Sequence, residues 1–316
     1  MANYNAGDII RLMRTAAGIS QEELSDGICS VQTLSRIENG KHKVKQSTYA
    51  LLMARMGRDT RKNYALCAGR NMELLEERIQ LEDALAKHDY KEADRFLRIL
   101  KRKIEDTKIS RQYIQRMEGV IDYCLGRIDA QEYVRKMDEA IRITVPHYEK
   151  YLQIEKKEQT YPFMELEVLT LMSLANAYGD AGEPLKGAQL YDALLLGLEE
   201  GYMDIDSVRK LQMLIRRNYL RVLEQLGRYQ EALESAEALL KDVIRNDYGR
   251  MLPVLLIIIS WDMREICKNN KKDIKSILPD IKKMLRQAFY IAAARDDEVN
   301  LKIIQKYYYE CFSEEV

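Results

Sequence analysis

Apolar residues return at helical spacing along nearly the whole chain, broken by a small set of polar turns. Between Ser20 and Lys41 (SQEELSDGICSVQTLSRIENGK) two short periodic segments are punctuated by capping residues. Ser20 with Glu23 three positions on is a capping box, in which the hydroxyl accepts from a first-turn amide and the carboxylate reaches back to the cap. The helix it starts should stop near Asp26-Gly27, and Ser30 should cap a second helix that ends at Asn39-Gly40. On a helical wheel Leu34 and Ile37 of that second helix point one way, while Gln32, Ser35, Arg36 and Asn39 point the other. Helices over about 6–17 and 46–56 are expected to bring Ile9, Ile10, Met13, Leu51 and Leu52 to a small core against it.

From Asn71 onward periodic helices alternate with short turns, and three of those turns share one grammar: AKHDYKEA (86–93), YGDAGEPLKGA (178–188) and EQLGRYQEA (224–232). Self-similarity of this kind is the signature of a helical-repeat architecture. The close-approach positions of paired helices, where the tetratricopeptide pattern places small residues, are occupied by Ala175 with Gly187 and by Leu220 with Ala232. Less regular hairpins fit at 111–143, around GRIDAQEY, and from 251 to about 278, around KNNKKD. The pattern predicts an all-α chain: a helix-turn-helix domain over 1–62, a linker helix over 63–71, and over 72–316 a right-handed superhelix of about five tetratricopeptide-like hairpins. A last helix, Glu298–Phe312, would cap the stack. The 20 tyrosines are concentrated in the repeats and are expected mostly at hairpin seams.

Composition sharpens this picture in three places. The longest apolar run, Met251 to Trp261, has 11 residues and contains a proline, too short for a membrane span. With no secretory signal at the N-terminus and five scattered cysteines without a CxxC pair, a cytoplasmic protein is expected. Net charge is zero, yet residues 1–62 hold 10 Lys+Arg against 6 Asp+Glu, so the basic excess travels with the two-helix motif. Three histidines on separate elements, no nucleophile set and no glycine-rich phosphate loop give no support for an enzyme, a metal site or a cofactor.

The outward face of the second helix has the chemistry of a DNA reader. An arginine grips guanine and a glutamine grips adenine in the major groove, which suits Arg36 and Gln32, while Asn39, Lys41 and Lys43 are placed for phosphates. Segment 6–57 resembles the Cro/XRE-type helix-turn-helix, with the SRIENG ending among its more specific marks. The resemblance implies a structural pair between Glu38 and Arg14, base contacts at Val31, Gln32 and Arg36, and a DNA-backbone contact at Gln21. With Thr33 and Ser35 on the same surface, the candidate DNA-contacting set is Gln21, Val31, Gln32, Thr33, Ser35, Arg36, Asn39, Lys41 and Lys43.

A reader of this type joined to long tetratricopeptide-like repeats is similar to the peptide-pheromone-responsive regulators of Gram-positive bacteria, the Rap/Rgg/NprR/PlcR/PrgX group, and most to its PlcR-like members. The similarity is carried by LSDGICSVQTLSRIENG, LANAYGDAGEPLKG and RRNYLRVLEQLGRYQEAL. It implies that asparagines on successive repeats, here Asn176 and Asn218, hold a short signalling peptide by its backbone. An amide offers a donor and an acceptor side by side, which suits the N–H and C=O of one extended residue whatever its side chain. Arg217 and Arg221, with Arg216, flank Asn218 and are candidates to attract a peptide carboxylate. The resemblance implies a homodimer on an inverted-repeat operator of double-stranded DNA, controlled by that peptide in quorum sensing. Two other readings stand beside it: a regulator whose repeats only dimerise or bind a protein partner, and a Rap-like adaptor.

Overall fold

Helix starts are set by short polar side chains. Ser20 accepts from the Glu23 amide at 3.0 Å, and the Ser20 amide donates to the Glu23 carboxylate at 2.8 Å. Ser30, Asp89, Thr107, Asp129 and Asp297 likewise each accept from the amide three residues on. The structure, a computed structural model, describes residues 6–56, 72–152, 163–199 and 205–316, and these are helix and turn without a strand.

Four helices make the N-terminal head: α1 (Ala6–Ala16), α2 (Gln21–Ser25), α3 (Val31–Glu38) and α4 (Gln46–Arg55). The chain turns from α2 into α3 through Gly27, whose φ of 65° lies in the left-handed region that glycine enters without a Cβ clash. Ile10, Leu24, Leu34 and Leu52 are fully buried, together with Ile9, Met13, Ile37, Met53 and Met56. Leu51, expected in this core, is 55% exposed. The inward stripe of α4 is Leu52, Met53 and Met56, and a helix that buries those positions turns Leu51 to the outside. The expected linker helix over 63–71, and with it the boundary between head and repeats, lies outside the described residues.

The remaining helices are α5 (Met72–Ala86), α6 (Tyr90–Lys103), α7 (Lys108–Cys124), α8 (Ala130–Arg142), α9 (Glu165–Asp180), α10 (Pro184–Glu199), α11 (Ile205–Gln225), α12 (Tyr229–Arg245), α13 (Leu252–Asn269), α14 (Leu278–Ala293) and α15 (Glu298–Phe312). They run as five successive pairs followed by α15. Each pair turns through one residue of positive φ, at His88, Gly126, Gly182, Gly227 and Lys271 in order. This common backbone device is what the three matching turn sequences encode, and it operates also in the two pairs whose sequences match less well.

Contacts divide the chain into two compact units, 1–182 with 189–211, and 183–188 with 212–316. In the first, α5 to α9 each pack on the next around Leu81, Leu97, Leu100, Met117 and Ile121. In the second, α12 to α15 pack in sequence around Leu220, Leu239, Leu255 and Ile259, and farther along around Ile281, Leu285, Tyr307 and Tyr308. Ala175, Gly187, Leu220 and Ala232, the expected small or close-approach positions, are all buried. Gly119 marks a tighter approach that the sequence reading did not single out: a Cβ there would run into the Met137 side chain across the α7–α8 seam. The apolar run 251–261 opens α13, with Pro253 in its first turn, where a missing amide hydrogen costs nothing. No described helix is long and apolar enough to cross a membrane.

Candidate functional site

Burial of Leu34 and Ile37 fixes the roll of α3 and so decides which side chains it offers outward. Gln32, Arg36 and Asn39 are exposed, Val31, Thr33 and Ser35 are half-buried, and Lys41 and Lys43 follow in the exposed segment beyond the helix. These side chains are not equally free. The Thr33 hydroxyl lies 2.8 Å from that of Ser30, inside the cap, and Asn39 Nδ2 donates to the Ser35 carbonyl at 2.8 Å. Thr33 and Asn39 thus secure the two ends of the helix. Gln32 and Arg36, one turn apart, project from the outer face with no hydrogen-bond partner among the described residues.

Beneath that face lies a buried polar junction. Glu38 is 1% exposed and takes a two-pronged grip from Arg14 of α1, with Nε to Oε1 at 2.7 Å and Nη2 to Oε2 at 3.0 Å. Arg14 Nη1 also donates to the Ile19 carbonyl at 3.0 Å. The pair expected between Glu38 and Arg14 is present, and it has a third member: Gln21 Nε2 donates to Glu38 Oε2 at 2.6 Å. Gln21, expected at the DNA backbone, is therefore committed to holding α1, α2 and α3 in register. A buried carboxylate is tolerable because every strong donor around it is aimed at it. Across the head, Arg55 of α4 donates to the Asp26 carbonyl at the end of α2.

The two asparagines of the repeats are half-buried, and each already has a partner for its carbonyl oxygen. Asn176 Oδ1 accepts from the hydroxyl of the buried Tyr191 at 2.7 Å. Asn218 Oδ1 accepts from Arg217 Nε at 3.1 Å and Nη2 at 2.5 Å. The donor half of each amide, Nδ2, makes no hydrogen bond to a described residue. The expected two-sided amide therefore offers a donor first, with its orientation set by a neighbour. Arg217 serves as that neighbour for Asn218, Arg216 is paired with Asp242 at 2.5 Å, and Arg221 is exposed with its charge felt by Glu224.

Two ionisable groups, one buried and one half-buried, escaped the sequence reading. Asp262 on α13 is 0% exposed, and neither carboxylate oxygen has a hydrogen bond. Burial first, and then the charges of Glu224 and Glu265, push its pKa up to about 8, and burial pushes that of Glu224 up to about 7. A signal for Asp262 was present: it follows Leu255 and Ile259 at helical spacing and so falls on their buried stripe. The other is Arg116 on α7, which crosses to the Leu169 carbonyl and the Ser173 hydroxyl of α9. Nothing in its local sequence separates it from the exposed Arg111. Among the described residues there is no cluster of His, Cys, Asp and Glu that would hold a metal ion.

Residues 10–62 match the helix-turn-helix family. No curated protein matches the chain. Among solved structures, PlcR of Bacillus thuringiensis in complex with the peptide PapR7 and DNA is similar, with a TM-score of 0.58 and 16% identity over 98% of this chain and 99% of that one. Apo PlcR gives a TM-score of 0.56 at 16% identity, over 95% of this chain and 97% of that one. ComR from S. thermophilus in complex with DNA and its signalling peptide ComS gives 0.54 at 14% identity, over 97% and 99%. The chain thus has the fold of these proteins from end to end, a helix-turn-helix head followed by paired helices.

Proposed function

We propose that the chain is a transcription regulator that binds DNA as a homodimer and is switched by a short peptide, a member of the peptide-responsive group that includes PlcR. The observation that carries this reading is the shared fold over nearly the full chain with PlcR, solved with DNA and the peptide PapR7, and with ComR, solved with DNA and its signalling peptide ComS. An α3 face on which Gln32 and Arg36 stand free supports DNA reading, with Lys41 and Lys43 beside it for phosphates. Val31 and Ser35 lie at the edge of that face. Two-fold symmetry would present two copies of α3 to successive major grooves, so the operator is an inverted repeat with half-sites about 34 Å apart or a multiple of that.

The peptide lies extended along the repeats, with Asn176 and Asn218 donating Nδ2 to its carbonyls while Tyr191 and Arg217 hold the two amides in place. Arg221 adds positive charge beside Asn218. Peptide binding shifts operator affinity by its differential affinity for two shapes of the regulator, ~1–3 kcal/mol in typical allosteric proteins and so roughly 5 to 150-fold. Selection of random duplex DNA by the full chain tests the first half of the reading. An inverted repeat should emerge, and Arg36→Ala should weaken binding to it by ~1–3 kcal/mol while relaxing one position of the half-site. Recovery of unrelated sequences, or no effect of Arg36→Ala, would argue for a head that does not read DNA.

A further inference from the structure

Arg116 is a guanidinium held in the first compact unit without an acid. Its Nε donates to the Leu169 carbonyl and to the Ser173 hydroxyl, both at 3.1 Å, and its Nη1 lies 3.9 Å from the Met117 sulfur. Nη2 donates to no described group, and no described carboxylate stands within ion-pair distance. The neighbouring charges on α5 are of both signs and already paired with each other: Arg78 and Glu82 meet at 2.8 Å, the field of Glu82 favouring the charge of Arg116 and that of Arg78 opposing it. Other arginines of this unit behave differently, since Arg98, Arg127, Arg135 and Arg142 all reach a carboxylate. A charge taken partly out of water whose hydrogen-bond acceptors are all neutral is costly, and an incoming anion would relieve that cost.

Its position on α9 says which anion. Leu169, Ser173 and Asn176 are spaced i, i+4, i+7 and form one stripe of that helix. Asn176 is therefore about 4.5 Å along the axis from Ser173 and about 10 Å from Leu169, the two residues that fix Arg116. An extended peptide advances about 3.3 Å per residue. We propose that Arg116 receives a carboxylate of the peptide ligand, one to three residues from the residue whose carbonyl Asn176 holds. This rests on the peptide-regulator reading and transfers to Arg116 the acid-binding role first expected of Arg217 and Arg221, the former of which holds Asn218. The carboxylate is either the peptide's C-terminus or an acidic side chain, and the guanidinium meets both through the same paired N–H donors.

Three synthetic pools of heptapeptides, equilibrated with the full-length chain and read by mass spectrometry of the retained peptides, decide the matter. The first pool has a free C-terminal carboxylate and no Asp or Glu, the second is C-terminally amidated but contains Asp and Glu, and the third is amidated and lacks both. Retention from the first or second pool, but not the third, is the expected result, and the pool that is retained identifies the source of the carboxylate. Arg116→Gln should weaken that retention about tenfold or more, and Arg116→Lys less. A purely structural staple between α7 and α9 would leave the preference for acid over amide intact, so equal retention of all three pools, or an unchanged preference in Arg116→Gln, overturns the proposal while leaving the peptide reading standing. If Arg116→Gln does not fold, Arg116→Lys decides in its place: a weakened preference for the acid pools supports the proposal, and a preference equal to that of wild type overturns it. Retention from no pool defeats the peptide reading itself, and this inference with it.

Discussion

Replacing Glu38 by alanine removes the acceptor at the centre of the head. Arg14 then keeps the Ile19 carbonyl but loses both carboxylate contacts, at 2.7 and 3.0 Å, and Gln21 loses its acceptor at 2.6 Å. Breaking a buried pair from one side costs ~3–5 kcal/mol, because the remaining charge stays buried without its counter-charge. At ~0.05–0.15 kcal/mol per residue, the 51 described residues of the head command only roughly 3–8 kcal/mol in total. Glu38→Ala should therefore open the head locally while leaving the repeats folded. Hydrogen exchange followed by mass spectrometry on the full chain reads this directly. Amides of α3 should exchange on the order of a hundred-fold to a thousand-fold faster, and those of α13 at the wild-type rate. Replacing both partners, Arg14→Met with Glu38→Leu, should recover most of the protection, since an apolar pair of similar volume leaves no charge behind. Acceleration below about fivefold, or a double variant no better than the single, would refute the claim that this junction fixes α3.

Asp262 predicts a pH dependence with a definite sign. A carboxyl whose folded-state pKa is raised to about 8 supports the fold fully below its unfolded value near ~4 and loses that support as pH rises through about 8, in step with Glu224 at about 7. The stability of Asp262→Asn relative to wild type should therefore grow from pH 5 to pH 8, by at most ~1.4 kcal/mol per pH unit, and level off above; a difference constant with pH in denaturant titrations would contradict the assignment. Gly119→Val should cost ~1–3 kcal/mol by forcing Met137 out of the α7–α8 seam, measured by thermal unfolding, whereas a neutral result would mean that Met137 moves aside freely.

What the sequence could and could not disclose follows from how local each cause is. Caps, turns and the roll of α3 depend on residues within a few positions of one another, and Ser20 with Glu23, Ser30, Leu34 and Ile37 occupy the places their spacing predicts. Leu51 went the other way because an apolar pair at 51–52 leaves the roll of α4 open, and packing of Met53 and Met56 chooses it. The side chains that proved engaged rather than free, Gln21 and Arg217 among them, are decided by partners that a wheel does not show. Arg116 is the extreme case, since its acceptors lie 53 and 57 residues away.

The central claim is that a peptide held by two amides sets operator affinity. Its most direct measurement is the operator dissociation constant with and without a retained heptapeptide, for wild type and for Asn176→Ala combined with Asn218→Ala. The account predicts a shift of roughly 5 to 150-fold for wild type, and for the double variant unaltered binding without peptide and no shift with it. A double variant that responds to peptide as wild type does would contradict it.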